Sequence, residues 1–367
     1  MDVTDIKAQN IKRILNVLRT SGGTTKNEIA AITGLSFSTV SNLCNELKDN
    51  DVLVEEKVNS FSVGRIPSIQ IFQCERYASV CIDLQQEGTL SFSILNFANK
   101  RLFQRGFDIS GIQDVSVLND LIETTYCSTV CQFTDIRIVG VGVSIPGIYD
   151  ESTGLIVNST LSVLNRVPLK EMLERRLSLP CYVENESNLC ALSVWQEHPE
   201  ARNVVYLHSS SGLGVGVICE GNLLQGKNGY AAEIAHIPIG TPDVQCPFCG
   251  NTGCIENDLA QRGMETLSAP EHSVEARFRL IEDRAKKLGT LVSILVNLFD
   301  PDIVCVGGRS FAEYDSLAPI VRCVLERLSP LSVVSKGLVI THDTDSLRAI
   351  EKGVTQVMYD KWNPLQK

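Results

Sequence analysis

The chain has 367 residues, of which 44% are apolar and 21% charged, and its net charge is −10. This length predicts two or three globular units, and the acidic balance excludes a general nucleic-acid binder. Residues 1–76 nevertheless hold nine basic and nine acidic side chains, so the acidic excess lies in the remainder. No apolar run reaches the length of a membrane span and the N-terminus has no apolar signal core, so we expect a cytoplasmic protein without membrane contact.

The N-terminal segment is typical of a helix-turn-helix. Thr24 or Thr25, with Glu28 as the partner in a capping box, predicts the start of a second helix. On that helix we expect Ile29 and Ile32 to face inward.

Gly34 supplies the turn to a third helix that Ser36 caps, with Val40, Leu43 and Leu47 on its inner face. A plain three-helix bundle would satisfy this apolar pattern equally. The outer face favours DNA instead, because its short hydrogen-bonding side chains suit base edges and phosphates. The candidate DNA-binding residues of this helix are Ser36, Ser38, Thr39, Ser41 and Asn42.

A wing is predicted after the third helix. Strand-like runs at residues 52–54 and 69–72 flank Gly64-Arg65 and Pro67. An arginine at a glycine turn suits a narrow A·T-rich minor groove. We therefore add Arg65 to the candidate DNA-binding residues.

From about residue 77 strands and helices alternate. Three consecutive strands at 78–84, 90–96 and 101–109 precede a helix over 115–130. This opening resembles the core of the actin-like ATPases, an α/β fold of two lobes that flank a ligand cleft.

The chain resembles the ROK family (repressors, open reading frames and kinases) in its repressor branch, similar to repressors of the xylose and N-acetylglucosamine type. Four sequence motifs carry the resemblance: Gly64-Arg65 with Pro67, residues 184–188 (Glu-Asn-Glu-Ser-Asn), the segment from Gly229 to His236, and the cysteine motif Cys246-Pro-Phe-Cys-Gly-Asn-Thr-Gly-Cys254. The resemblance implies a winged helix-turn-helix over 1–75 and a two-lobed actin-like ATPase (ROK) fold over 76–367. Lobe one would span about 76–190 plus the C-terminal helix, and lobe two about 191–345.

A structural zinc site is predicted in lobe two. Three thiolates and one imidazole at short spacings form a closed tetrahedral set, which leaves no open position for catalysis. The alternative is three free thiols in a loop. The proposed ligands are His236, Cys246, Cys249 and Cys254.

The resemblance also implies a sugar site in which several fixed acceptors bind hydroxyl groups. Asn158 is a further, weaker candidate, and solvated cleft carboxylates are the alternative interpretation. We favour His236 as a zinc ligand over a free base. The residues that match the family's sugar-binding positions are Asn185, Glu186, Glu233, His236 and Glu256.

The resemblance leaves repressor and kinase open until the first phosphate loop is examined. The kinases carry Asp-x-Gly-Gly-Thr-Lys there, whereas this chain has Asp83-Leu-Gln-Gln-Glu87, which lacks both glycines and adds a carboxylate that would repel a triphosphate. Glu186 also stands where the kinases have an aspartate base. We therefore expect no catalytic residues and a sugar-responsive repressor that binds a pseudo-palindromic operator as a homodimer or homotetramer, with a sugar or sugar phosphate as effector. The alternatives are a sugar kinase with a DNA-binding head and a repressor controlled by a protein partner.

Overall fold

The computed structural model describes residues 3–57, 68–85, 87–269, 272–329 and 338–365. The N-terminal part, here called the head, holds three helices and a three-stranded sheet of order β1-β3-β2. Its elements are α1 (Val3–Ser21), β1 (Thr24–Thr25), α2 (Lys26–Thr33), α3 (Phe37–Asp49), β2 (Leu53–Lys57) and β3 (Ser68–Phe72). No helix within these described ranges is long and apolar enough to cross a membrane.

The capping box predicted for α2 is confirmed at Thr25. The Thr25 hydroxyl accepts from the Glu28 amide, and the Glu28 carboxylate accepts from the Thr25 amide. Ile29 is buried as predicted, but Ile32 is 66% exposed, so its predicted inward position is wrong. The inner stripe runs instead from Ile29 to Thr33, whose hydroxyl bonds the Ile29 carbonyl at 2.6 Å.

The turn and the third helix also match the prediction. Gly34 has φ +69°, a conformation that favours glycine, and the Ser36 hydroxyl accepts from the Thr39 amide to cap α3. Strands β2 and β3 pair antiparallel as the two strands of a wing. Arg65, at the predicted wing tip, lies outside the described residues.

Lobe one is built on a five-stranded sheet of order β10-β7-β4-β5-β6. Its glycine-poor opening strands β4 to β6 form an antiparallel run, and β7 and β10 join it in parallel. The elements are β4 (Tyr77–Gln85), β5 (Thr89–Asn96), β6 (Arg101–Asp108), α4 (Val115–Val130), β7 (Arg137–Ile145), β8 (Ile148–Asp150), β9 (Leu155–Val157), α5 (Leu169–Leu177), β10 (Cys181–Asn185) and α6 (Glu186–Glu197).

Lobe two contains a second five-stranded sheet, of order β13-β12-β11-β14-β15, with its own apolar core. Its elements are β11 (Val204–Ser209), β12 (Leu213–Cys219), β13 (Asn222–Leu223), α7 (Glu256–Leu259), α8 (Gln261–Ser268), α9 (Val274–Phe299), β14 (Ile303–Gly307), α10 (Tyr314–Leu328) and β15 (Val339–Asp343). The last helix, α11 (Ser346–Lys361), returns to lobe one.

Helices α6 and α11 pack between the two sheets. Their apolar residues share one core with both sheets, including Cys81 of β4 and Tyr206 of β11. A side chain at Gly353 of α11 would overlap the backbone of Leu189 in α6, so glycine permits this close crossing. The two lobes therefore meet through a helical layer that begins at Glu186. The limits proposed for the head and for each lobe remain predictions.

Candidate functional site

A cavity of about 730 Å³ opens at the N-terminal end of α6. It brings together residues from seven separate segments of the chain. All five predicted sugar-binding residues line it, together with Asn158. These five are Asn185, Glu186, Glu233, His236 and Glu256.

Asn185 is held in place by the helix that it caps. Its Oδ1 accepts from the Ser187 amide at 2.8 Å, and its Nδ2 donates to the Gly147 carbonyl at 3.2 Å. Asn185 therefore orients the start of α6 and presents at most its remaining N–H to the cavity. Glu184 lies in the same sequence word, but it accepts bonds from Tyr182 and Gln225 and is structural.

Glu256 offers an unused acceptor. Its Oε1 accepts from the Leu213 amide at 3.3 Å, whereas its Oε2 is buried and has no hydrogen-bond partner within the described structure. Burial raises the pKa of Glu256, against the lowering effect of the Leu213 amide and of His236. A buried acceptor without a partner costs free energy that a donor from a ligand would recover. Glu256 is thus chemically suited to accept a hydroxyl.

Glu233 and His236 form the more open wall of the cavity. Both side chains are exposed to it. Although Glu233 faces the open cavity, the surrounding walls partly desolvate its carboxyl and raise its pKa, whereas His236 lowers this pKa and Glu256 raises it. Two carboxylates and an imidazole around one space suit a ligand that carries several donors.

The predicted metal ligands converge beside this cavity. One ligand atom from each of His236, Cys246, Cys249 and Cys254 lies within 4.8 Å of all the others. The Sγ of Cys246 is 3.6 Å from the Nδ1 of His236, and the Sγ of Cys249 is 3.5 Å from that of Cys254. This set could hold a metal ion, and three thiols with one imidazole fit a soft tetrahedral ion.

A tight backbone turn places the thiols. The Cys246 amide donates to the Asn251 carbonyl, and the Gly250 amide donates back to the Cys246 carbonyl. Gly250 and Gly253 have φ of +75° and +78°, where other residues are strained. The Gly-x-x-Gly spacing thus returns the chain so that Cys254 meets Cys249.

Two aromatic residues at the cavity are absent from the sequence-based set. Tyr230 and Phe248 both line it and are 46% and 54% exposed. Aromatic faces commonly complement the apolar faces of ring-shaped ligands. The sequence offers one signal for them: Tyr230 lies in the segment from Gly229 to His236, and Phe248 lies between the first two cysteines of the cysteine motif.

A second cavity, of about 360 Å³, lies on the other side of Glu186. Here Glu87 accepts from the Ser211 hydroxyl at 2.9 Å and pairs with the Arg309 guanidinium at 2.7 Å. This places a carboxylate of lobe one against a cation of lobe two. The nearby Asp83 is fully buried, and burial raises its pKa to about 6.

The protonation of Glu186 gives a testable result. Burial, and next the charge of Glu87, raise the pKa of Glu186 from 4.5 to about 7, against Arg309. The folded state therefore binds this proton more tightly than the unfolded state, and stability is lost as the pH rises from about 4.5 through 7. We expect Glu186→Gln to raise the free energy of unfolding at pH 8 by on the order of 1–3 kcal/mol, and to have little effect at pH 4.5.

Denaturant unfolding of both proteins from pH 4.5 to 8 measures this difference. Glu197→Gln, at the exposed end of the same helix, is the control for the loss of a carboxylate from α6. A constant difference between Glu186→Gln and wild type across the range would contradict the assignment.

The candidate DNA-binding face of α3 is accessible. Ser36, Ser38 and Asn42 are exposed, while Thr39 and Ser41 are half-buried. The hydroxyl of Ser36 is partly engaged, because it caps α3 and bonds the hydroxyls of Ser38 and Thr39. Asn42 has the freer side chain for contact.

Comparisons with known proteins agree with this architecture. The ROK family profile matches residues 116–342, and a winged helix-turn-helix DNA-binding profile matches residues 8–54. The Xylose repressor of Caldicellulosiruptor bescii is 26% identical over 342 residues, which cover 84% of each protein. The Glucokinase of Halalkalibacterium halodurans is 28% identical over 212 residues, covering 49% of this chain and 64% of that enzyme.

A solved structure of a ROK family transcriptional regulator, a homologue of the E. coli MLC protein, superposes on the whole architecture. Its TM-score is 0.81 at 20% identity, with 97% of each chain covered. The predicted fold, a winged helix-turn-helix in front of a two-lobed actin-like ATPase domain, is confirmed. With a family profile matched over more than half of its length, the chain belongs to the ROK family.

Proposed function

We propose that this protein is a sugar-responsive DNA-binding transcriptional repressor of carbohydrate-metabolism genes. One observation carries the proposal: the same chain joins a winged helix-turn-helix to a cavity whose wall holds the buried acceptor Glu256 Oε2. This oxygen has no hydrogen-bond partner among the described residues. Glu186, Glu233 and Glu256 accept sugar hydroxyls, Asn185 orients α6, and His236 belongs chiefly to the metal set.

The metal is Zn²⁺ and its role is structural. His236, Cys246, Cys249 and Cys254 would hold it, and it would supply a rigid support for the loop between Glu233 and Glu256. The side chains on either side of that loop then stay in place for the sugar.

DNA recognition is assigned to α3 and the wing, in a dimer on a pseudo-palindromic operator. Sugar changes the angle between the lobes and thereby the spacing of the two heads. This requires that sugar bind the two lobe arrangements with different affinities.

A kinase is the less favoured function. The side chain of Glu87 carries negative charge into the second cavity, where it already engages Arg309 and Ser211. A triphosphate would have to displace this carboxylate. Wild-type protein with ATP, magnesium and a sugar panel should therefore form no sugar phosphate above background, and steady turnover that Glu186→Gln abolishes would favour the kinase.

The test of the proposed function is a thermal-shift panel of monosaccharides and sugar phosphates. A ligand that binds only the folded state raises Tm as its concentration exceeds Kd. We expect at least one sugar to do so with wild type and not with Glu256→Gln. Stabilisation by no sugar would favour the repressor that is controlled by a protein partner.

Asn42→Ala should weaken operator binding without affecting the fold or the sugar affinity. A base-edge hydrogen-bonding side chain contributes about 1–3 kcal/mol, or roughly tenfold to a hundredfold in Kd. Fluorescence anisotropy with labelled operator measures it, and Asn222→Ala, at an exposed asparagine of lobe two, is the matched control.

Arg65→Ala should weaken binding chiefly at A·T-rich flanks. Operator affinity equal to wild type would remove the substituted residue from the interface.

A further inference from the structure

We propose that helix α11 fixes the head rigidly to lobe one, so that the head and lobe one turn as one body when sugar changes the angle between the lobes. The role of this joint in the response to sugar rests on the proposed function. Its rigidity is argued separately, from the contacts between α1 and the C-terminal segment. These contacts are called the head joint. The residues of the head joint are Lys12, Asn16, Arg19, Gln356, Tyr359 and Trp362.

Three hydrogen bonds cross the head joint. The Lys12 ammonium donates to the Tyr359 carbonyl, and the Tyr359 hydroxyl donates to Asn16 Oδ1 at 2.7 Å. The Arg19 guanidinium donates to Gln356 Oε1 at 2.9 Å. They are spread over about two turns of α1 and about one turn of α11, so together they resist both sliding and rotation.

The two cations of α1 also contact the Tyr359 ring. The Nζ of Lys12 lies 4.3 Å and the guanidinium carbon of Arg19 4.1 Å from the ring centre. Cation–π contacts strengthen when they are shielded from water. Tyr359 is fully buried, so both contacts are shielded on the ring side.

Below these polar contacts the head and the body share one apolar core. Aromatic rings from both parts pack there: the tilted rings of Tyr77 and Trp362 have centres 4.5 Å apart, and the stacked rings of Phe72 and Trp362 have centres 6.2 Å apart. Phe72 ends the wing, whereas Tyr77 begins lobe one. A head that swung freely would expose these rings to water, which is unfavourable.

The other face of α11 is fixed to the sheet of lobe one. The hydroxyls of Thr355 and Ser79 bond at 3.0 Å, and Arg101 of β6 makes a paired contact with the buried carboxylate of Glu351 at 2.7–2.9 Å. Gly142 of β7 leaves the space that Val354 fills. Helix α11 is therefore one rigid body with lobe one and, through the head joint, with the head.

The sugar cavity opens where α6 begins, and none of the head-joint residues lines it. Helix α6 begins there at Glu186 and packs on β12 of lobe two, where side chains at Gly214 and Gly216 would overlap Ser187. A sugar that shifts lobe two against α6 thus shifts it against lobe one and the head together. The head needs no separate hinge for the signal to reach DNA.

The test compares two joint variants with wild type. Asn16→Ala/Tyr359→Phe removes one bond across the joint and keeps the aromatic stack. Lys12→Glu/Arg19→Glu replaces both cations by carboxylates close to Asp360, the residue after Tyr359 on α11, and is the stronger disruption. Thr20→Ala is the control, because that hydroxyl bonds only carbonyls of its own helix.

Two measurements are made on each full-length protein. The first is the ratio of operator Kd with and without saturating sugar, beside the sugar Kd from calorimetry. We expect the fold-change in operator Kd caused by sugar to be at least fivefold smaller in Lys12→Glu/Arg19→Glu than in wild type. It should be reduced to a lesser extent in Asn16→Ala/Tyr359→Phe, and the sugar Kd of both variants should stay within twofold of wild type. The control should keep the wild-type ratio. If the charge-reversal variant does not fold, the result for Asn16→Ala/Tyr359→Phe alone tests the proposal.

The second measurement is calorimetric unfolding without sugar. A rigid joint predicts that the head and lobe one of wild type unfold in one transition and that the joint variants separate a head transition at lower temperature. Wild-type sugar response in folded joint variants, or a head that already melts separately in wild type, would overturn the joint. If no sugar changes the operator affinity of wild type, the proposed function is contradicted instead. The calorimetric result alone then tests whether the head joint is rigid.

Discussion

Cys254→Ser is expected to remove the bound metal and to loosen lobe two. Cys254 is completely buried, and its Sγ lies 3.5 Å from that of Cys249, so no other described thiol can take its place without moving the loop. In zinc-dependent peptides the metal contributes on the order of 10 kcal/mol to folding. Lobe two has its own apolar core, so the expected loss is smaller, a fall in Tm of at least about 5 °C.

Elemental analysis and thermal unfolding measure the two effects. Wild type should carry about one zinc per chain, and the variant much less. Cys323→Ser is the matched control, because Cys323 is an exposed thiol outside the cluster and should change neither quantity. Wild-type protein that is free of metal and fully stable would instead support three free thiols in a loop.

Glu233→Ala is expected to abolish the effect of sugar on DNA binding while DNA binding alone stays intact. The carboxylate is accessible in the cavity, near His236 and Glu256, and far from α3 in the chain. A lost charge-assisted hydrogen bond of this kind costs roughly 1.5–3 kcal/mol, or about tenfold to a hundredfold in sugar affinity.

Calorimetry with the sugar found by thermal shift gives the affinity, and anisotropy gives operator binding. Glu220→Ala serves as the control, since Glu220 is an exposed carboxylate paired with Arg202 outside the cavity. Sugar affinity that is unchanged in Glu233→Ala would leave this residue a solvated carboxylate of the cleft.

Much of the head could be predicted because its signals are local. The capping box of Thr25 with Glu28 and the glycine turn at Gly34 need only neighbouring residues, and both are confirmed. The prediction for Ile32 is wrong because, on a short helix, the residue three positions after Ile29 and the residue four positions after it can both face inward. The structure uses the spacing of four, with Thr33 buried at 5% exposure through its bond to its own helix.

The separate motifs of the candidate site can be predicted from the sequence, but the way they come together in the cavity cannot. The cysteine spacing predicts a cluster, and the structure brings its ligand atoms within 4.8 Å. That Glu256 would keep one oxygen unpaired depends on the Leu213 amide, more than forty residues earlier in the chain. Contacts of this range carry no local signal.

Contacts between the parts of the molecule were least predictable. Glu87 in lobe one meets Arg309 in lobe two, and Arg19 in the head meets Gln356 near the C-terminus. On the sequence, each of these is a polar residue of an element surface. Their pairing follows only from how the sheets and α11 are stacked.

The central claim is that sugar in the cavity controls the affinity of the head for DNA. The most direct measurement is operator Kd by fluorescence anisotropy, with DNA selected by the protein from a random pool and with each sugar of the panel at saturation. We predict that at least one sugar changes Kd tenfold or more in wild type, and that Glu233→Ala needs about tenfold to a hundredfold more of that sugar for half of this effect. An operator Kd that no sugar alters, in a protein that binds this DNA specifically, would contradict the account.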